Sequence, residues 1–265
     1  MLKTVTNWVA AIVLACMGNA HAQSAAKVVD IPTRPGVTQR LLVLAAPESP
    51  AKAAAIVFTG GNGLLQIGVN GEIAQGRGNF LVRSRQLFAD QGLLVVLVDT
   101  PSDRQTFPYL AGFRQTPEHL ADVKAVIAWV RTQTTTPVWL LGTSRGTQSA
   151  AFAATELQGA VGPDGLVLTS TILRDERGRA VTRMPLDRLR IPVLVAHHEQ
   201  DGCSLCAYSD LPGLMQQLSN APRKQLLSFK GGNNRGDPCE AMAYHGFNGL
   251  ESDVVAQAVA WMLAK

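Results

Sequence analysis

Five short apolar runs constrain this chain more than any other feature of its sequence. Ala54–Phe58, Leu93–Val98, Val138–Leu141, Leu166–Leu168 and Val193–Ala196 are apolar at every position. A strand that is apolar throughout is buried on both faces, which is the condition of a parallel sheet covered by helices. The segments between the runs have helical spacing. Phe80–Ala89 is one. Pro117–Val130 is another, with a helix-start proline and with Leu120, Val123, Val126, Ile127 and Val130 on one face. Thr147–Leu157, Leu211–Leu218 and Ser252–Leu263 read as further helices, with Leu41–Leu44 an early strand and Gln225–Phe229 the last one. The expected class is α/β, a mostly parallel central sheet with helices on both faces. Ligands bind such sheets beyond the carboxyl ends of the strands.

The chain has 265 residues, 46% of them hydrophobic and 17% charged, which excludes a disordered tail or a charged coiled coil. A formal charge of +4 with no basic run gives nucleic-acid binding no compositional support. The amino terminus reads as a leader. Lys3 precedes the apolar stretch Trp8–Met17, and Ala20-His21-Ala22 places small residues where a signal peptidase reads them. A lipid-attachment reading at Cys16 competes, but Val13-Leu14-Ala15-Cys16 has its leucine in the wrong place, so cleavage after Ala22 is preferred. The expectation is a secretory leader over residues 1–22 and a single catalytic domain over 23–265, periplasmic or secreted, with no integral membrane span once the leader is removed. Oligomeric state is not readable.

Directly after Val138–Leu141 comes Gly142-Thr143-Ser144-Arg145-Gly146, and directly after that a helical stretch. Gly-x-Ser-x-Gly between a strand and a helix holds the serine at a sharp corner with its hydroxyl exposed, beside a helix amino terminus that favours negative charge. Ser144 is therefore the candidate nucleophile. A serine hydroxyl needs a base, and the base needs an orienting acid. His245, in the loop Tyr244–Phe247 between the last strand and last helix, is the candidate base. His119, in the first turn of a helix, reads as a surface residue, and His197 and His198 read as structural. Asp201, just past the strand Val193–Ala196, is the candidate acid, with Glu199 second. Arg145 and the glycine-rich Thr59–Gly63 offer backbone N–H groups for an oxyanion hole, Gly61 first and Asn62 second. The side chain of Arg145 either attracts an anionic substrate or pairs with an acid on the neighbouring helix; the second is preferred. Asp99–Asp103, after another strand, either lines the pocket or is plain turn chemistry.

The chain resembles the α/β-hydrolase superfamily over nearly all of residues 23–265. The resemblance rests on the Gly142–Gly146 elbow, the Thr59–Gly63 loop, the acid ending Pro192–Asp201, His245 before a final helix, and the order Ser144, Asp201, His245. Thr59-Gly60 departs from the His-Gly often found there, and Thr169–Arg190 is too short for a large cap domain. The resemblance implies a compact esterase acting through a Ser144–His245–Asp201 triad on a small-molecule ester, or a thioester, without a cofactor. A peptidase or acyltransferase would use the same residues, and a non-catalytic binding protein on the same fold is the other alternative. Cys203-x-x-Cys206 as a zinc site lacks a good second ligand pair, since only Cys239 and His245 are available, so no metal is expected. In this fold the acid and base loops must meet. That implies a disulfide from Cys239 to Cys203, the cysteine nearer the acid, with Cys206 the alternative partner.

Overall fold

The computed structural model describes residues 26–46, 50–177 and 179–264. The expected leader and its Cys16 alternative lie outside the described residues. Among the described residues there are eight strands: β1 (Lys27–Arg34), β2 (Val37–Leu44), β3 (Ala53–Phe58), β4 (Leu93–Val98), β5 (Val138–Thr143), β6 (Gly165–Thr169), β7 (Val193–His198) and β8 (Lys224–Phe229). Six α-helices join them: α1 (Phe80–Arg83), α2 (Arg85–Asp90), α3 (Pro117–Gln133), α4 (Gly146–Glu156), α5 (Leu211–Gln217) and α6 (Glu251–Leu263). The sheet order is β1-β2-β4-β3-β5-β6-β7-β8. Only β2 pairs antiparallel, with β1 and β4; the remaining pairs are parallel.

Because side chains alternate along each strand, successive residues enter different layers. Ile56, Leu140, Leu168 and Val195 pack toward α3, α4 and α5, whereas Val57, Leu141, Val167 and Leu194 pack toward α1, α2 and α6. Both faces are covered, which is why β3, β4, β5 and β6 are buried at every position.

Two expectations are corrected here. The amino-terminal strand β1 begins at Lys27, ahead of Leu41–Leu44, the earliest strand expected. It is an edge strand whose outer residues are half exposed, so it lacks the continuous apolar run that marks the interior strands. Its place is secured from outside, by Arg34 on the buried Asp122 of α3 and by Arg40 on Asp30. The helix expected over Phe80–Ala89 is interrupted at Ser84 and forms two short pieces, α1 and α2.

Register brings the carboxyl ends of the inner strands together. Phe58 stands beside Gly142, Gly142 beside Leu168, and Leu168 beside Val195. Thr59, Ser144, Ser170 and the segment after His198 therefore leave the sheet along one edge. Between β6 and β7 the chain forms only loop and two short 3-10 turns, Val181–Arg183 and Leu186–Arg188. No helix among the described residues is long and apolar enough to cross a membrane.

Candidate active site

The turn after β5 is fixed by crowding. Ser144 has φ of 51°, a left-handed conformation costly for a residue with a Cβ. Its flanking glycines leave no room for a side chain. A Cβ on Gly142 would lie 2.7 Å from the Gly146 carbonyl oxygen, and one on Gly146 would lie 2.1 Å from that of Phe58. The strained turn is closed by hydrogen bonds: the Ser144 N–H donates to the Thr169 carbonyl (3.0 Å), and the Thr147 N–H and hydroxyl both donate to the Ser144 carbonyl. Ser144 thus sits at the amino end of α4.

Asp201 and His245 meet across 44 residues of sequence, with His245 Nδ1 2.9 Å from Asp201 Oδ2. Both side chains are buried. A carboxylate can only accept, so Nδ1 carries the proton and donates. The other carboxylate oxygen accepts the Cys203 N–H at 2.9 Å. His245 Nε2 is buried with no hydrogen-bond partner among the described residues. It shares a cleft of about 380 Å³ with Ser144, Gly61, Asn62 and Arg145. The backbone N–H groups of Gly61, Asn62 and Arg145 have no intramolecular acceptor among the described residues. Glu199 lies elsewhere, paired with Lys230 at 3.1 Å.

The base loop is tied down from several directions. Cys203 and Cys239 are joined by a disulfide, and Cys206 is a free, buried thiol. Ser170 Oγ donates to the His245 carbonyl at 2.6 Å, and Arg83 donates to the Gly246 carbonyl. Phe247 is fully buried between Phe80 and Phe229. Ligand atoms of Cys203, Cys206 and His245 fall within 4.8 Å of one another, but the Cys203 sulfur is committed to the disulfide.

The other histidines divide differently from expectation. His198 is structural: Nδ1 accepts the Gln200 N–H, Nε2 donates to the Gly231 carbonyl, and the ring stacks on Tyr244. His197 accepts the Thr171 N–H at 2.7 Å, and burial with His245 nearby pushes its pKa down to about 3. His119 corrects the surface reading. It is 3% exposed, with Phe58 and Phe113 edge-on to its ring, and burial lowers its pKa to about 3.

Two site-building residues, Ser170 and Arg114, escaped the sequence reading, and a third, Asp99, has a role it did not weigh. Asp99, left open between pocket and turn, is neither: its carboxylate accepts the N–H groups of Leu65, Gln66, Ile67 and Thr100, holding the chain that follows the Thr59–Gly63 loop. Arg114 is buried and donates to the Ser149 hydroxyl and to the carbonyls of Thr59 and Gly61. An arginine in the Gly112–Gln115 stretch carries no local signal of such a role. Arg145 does pair with an acid, but with Asp175 of the loop after β6, at 3.6 Å.

No protein-family profile matches the chain, and no curated protein sequence does. Solved structures do resemble it. An α/β serine hydrolase without lid from Xanthomonas campestris is 19% identical, with a TM-score of 0.55, over 89% of this chain and 95% of that one. An esterase from Pyrococcus furiosus is 12% identical, with a TM-score of 0.65, over 94% and 95%. Est1E from Butyrivibrio proteoclasticus, solved with ferulic acid bound, is 15% identical, with a TM-score of 0.59, over 88% and 99%. The chain has the α/β-hydrolase fold, without a lid, and is distantly similar in structure to esterases and serine hydrolases.

Proposed function

We propose that this chain is a serine hydrolase of carboxylic esters, with Ser144 as nucleophile, His245 as base and Asp201 as the orienting acid. The observation that carries the reading is the His245 imidazole. One nitrogen is held by the buried Asp201 carboxylate at 2.9 Å, and the other is unpartnered in the cleft that contains Ser144. His198 satisfies both nitrogens; His119 and His197 also carry unpartnered nitrogens, but among the described residues neither lines this cleft and neither is held by a carboxylate. Hydrogen bonds between nucleophile and base are often long without substrate and tighten when it binds.

In the proposed reaction Ser144 Oγ attacks the ester carbonyl while His245 Nε2 takes its proton. Asp201 stabilises the imidazolium and fixes the tautomer. The carbonyl oxygen becomes an oxyanion held by the N–H of Arg145 and that of Gly61 or Asn62. Collapse breaks the bond to the alcohol oxygen, which takes the proton from His245. Water then repeats the attack on the acyl-enzyme, giving its proton to His245, and Ser144 Oγ leaves with that proton. The chain's own residues suffice for each step. The Cys203–Cys239 disulfide supports the further proposal of an exported protein, since such bonds persist in oxidising compartments.

The test is turnover of short-chain aryl esters by the wild type and Ser144→Ala, with labelling by a fluorophosphonate probe. Wild-type turnover and labelling, both lost in the variant, are expected. Turnover unchanged in the variant removes Ser144 from the account. A wild type that neither reacts nor labels indicates a binding protein on a hydrolase fold.

A further inference from the structure

A second cavity, of about 660 Å³, adjoins the nucleophile cleft and shares Gly61, Asn62, Arg145 and Leu205 with it. Four arginines line it, Arg114, Arg145, Arg177 and Arg179, against two acids, Asp175 and Glu176. Asp175 is half-buried, its side chain 6% exposed, and has to serve several donors. It lies 3.6 Å from Arg145 Nη1 and 3.5 Å from Arg179 Nε, accepts the Arg177 N–H at 2.8 Å, and accepts from the Gln148 amide at 3.2 Å. Neither guanidinium contact is close or bidentate. Three arginines elsewhere are paired more closely. Arg40 grips Asp30 and Arg174 grips Asp210 with two nitrogens each, and Arg34 reaches both Asp103 and Asp122.

Arg114 is the sharpest case. It is 4% exposed, and no carboxylate pairs with it among the described residues. Its partners are a hydroxyl and two backbone carbonyls, which satisfy its N–H groups but carry no counter-charge. Burial and the nearby charge of Arg145 push its pKa down to about 9. A buried charge without a counter-ion is costly, and two adjacent cations add repulsion. Holding the Thr59–Gly63 carbonyls accounts for Arg114 alone. It does not account for three more guanidinium groups converging on one cavity beside the nucleophile.

We infer that this cavity is a subsite for an anionic group of the substrate, so that the preferred esters carry a carboxylate a short spacer away from the scissile bond. The inference rests on the hydrolase reading and names its substrate class. Arg145 links the two parts, its backbone N–H facing the reacting carbonyl and its side chain facing the anion. A carboxylate there supplies the counter-charge that Asp175, divided between Arg145 and Arg179, does not. The anion can belong to the acyl or the alcohol half of the ester, and both can be tested.

For the acyl half, kcat/KM for phenyl hydrogen adipate is compared with that for phenyl hexanoate. For the alcohol half, 4-acetoxybenzoate is compared with 4-acetoxybenzamide. In one arm the anionic ester should be preferred at least about tenfold. That preference should shrink as sodium chloride is raised, because exposed parts of the cluster are screened, and it should fall severalfold in Arg179→Gln and Arg145→Gln. The salt series uses the wild type alone, so a variant that misfolds leaves the test intact. Neutral esters turned over as well as or better than anionic ones in both arms overturn the subsite and leave the hydrolase standing. No turnover of any ester, with no fluorophosphonate labelling, overturns both.

Discussion

The Ser144 turn and the His245 loop lie against the same cleft but are held by different physics. The turn, Gly142 to Gly146, is set by backbone crowding: a Cβ on Gly142 would strike the Gly146 carbonyl and one on Gly146 the Phe58 carbonyl of β3, around one left-handed serine between a strand and a helix. The base loop, residues 230–250, is long and mostly exposed from Lys230 to Glu240. It is located by contacts from far away in sequence: Cys203, Ser170, Arg83 and the Phe80–Phe229 pocket around Phe247. Ser144 is placed by backbone packed directly against its turn, whereas His245, in a long loop, is placed by side-chain ties from distant parts of the chain.

The largest effect should come from breaking the turn. Gly146→Ala places a methyl carbon 2.1 Å from the Phe58 carbonyl oxygen, and backbone cannot move aside as a side chain can. We expect a loss of more than about 3 kcal/mol in urea unfolding. Wild-type stability in this variant would show that the turn is not held by sterics. The matching test of the loop is Cys203→Ser combined with Cys239→Ser, which avoids a new bridge to Cys206. The disulfide closes a separation of 36 residues, so its removal should lower stability by about 3 kcal/mol. Ester turnover at 25 °C should fall by less than about tenfold, because three other ties remain. Collapse of turnover in folded protein would make the disulfide the tie that matters.

The same contrast explains what the sequence reveals. The interior strands are legible because burial on both faces leaves nothing but apolar residues in β3 and β4. The Gly142–Gly146 turn is legible because its glycine spacing falls within five residues, even though the carbonyl that excludes a Cβ at Gly146 belongs to Phe58. Asp201 and His245 are legible only through chain order and their places after β7 and before α6. Ser170, Asp99 and Arg114 are not. Their partners lie 75, about 33 and about 55 residues away, and nothing within a short window marks them. His119 was misplaced for a related reason. A first-turn helix position is usually exposed, but Phe58 and Phe113, from two other segments, close over it.

Acid should probe the sheet on which both regions sit, through two buried neutral histidines: His119, packed on Phe58 at the end of β3, and His197 in β7, near His245. Each has a pKa near 3 in the folded protein against an ordinary 6.5. Between those values the unfolded chain binds the proton and the folded one does not. Stability is therefore complete above about pH 6.5 and is lost as pH falls toward 3. From pH 7 to pH 5 each histidine should cost about 2 kcal/mol. His119→Phe, which also removes two buried unpartnered nitrogens, should reduce that pH dependence by about 2 kcal/mol in urea unfolding at the two pH values. An unchanged slope would mean that His119 gains access to water, and that the packing of Phe113 over it is not kept in solution.

The smallest effect should come from Ser170→Ala, and its size decides how the loop is built. Ser170 is fully buried with φ of 46°, and its hydroxyl donates to the His245 carbonyl at 2.6 Å. Removing it should cost about 1 kcal/mol, the net worth of one buried hydrogen bond. If the loop is held redundantly, the Cys239, Arg83 and Phe247 ties keep the imidazole on Asp201, and kcat for a short aryl ester should fall only a few-fold. If Ser170 alone sets the height of the His245 backbone, kcat should fall by about a hundredfold while stability changes by the same 1 kcal/mol. Misplacement by about 1 Å is enough for a loss of that size. Turnover and unfolding measured on one preparation separate the two, and a hundredfold loss would place His245 under one contact made from 75 residues away.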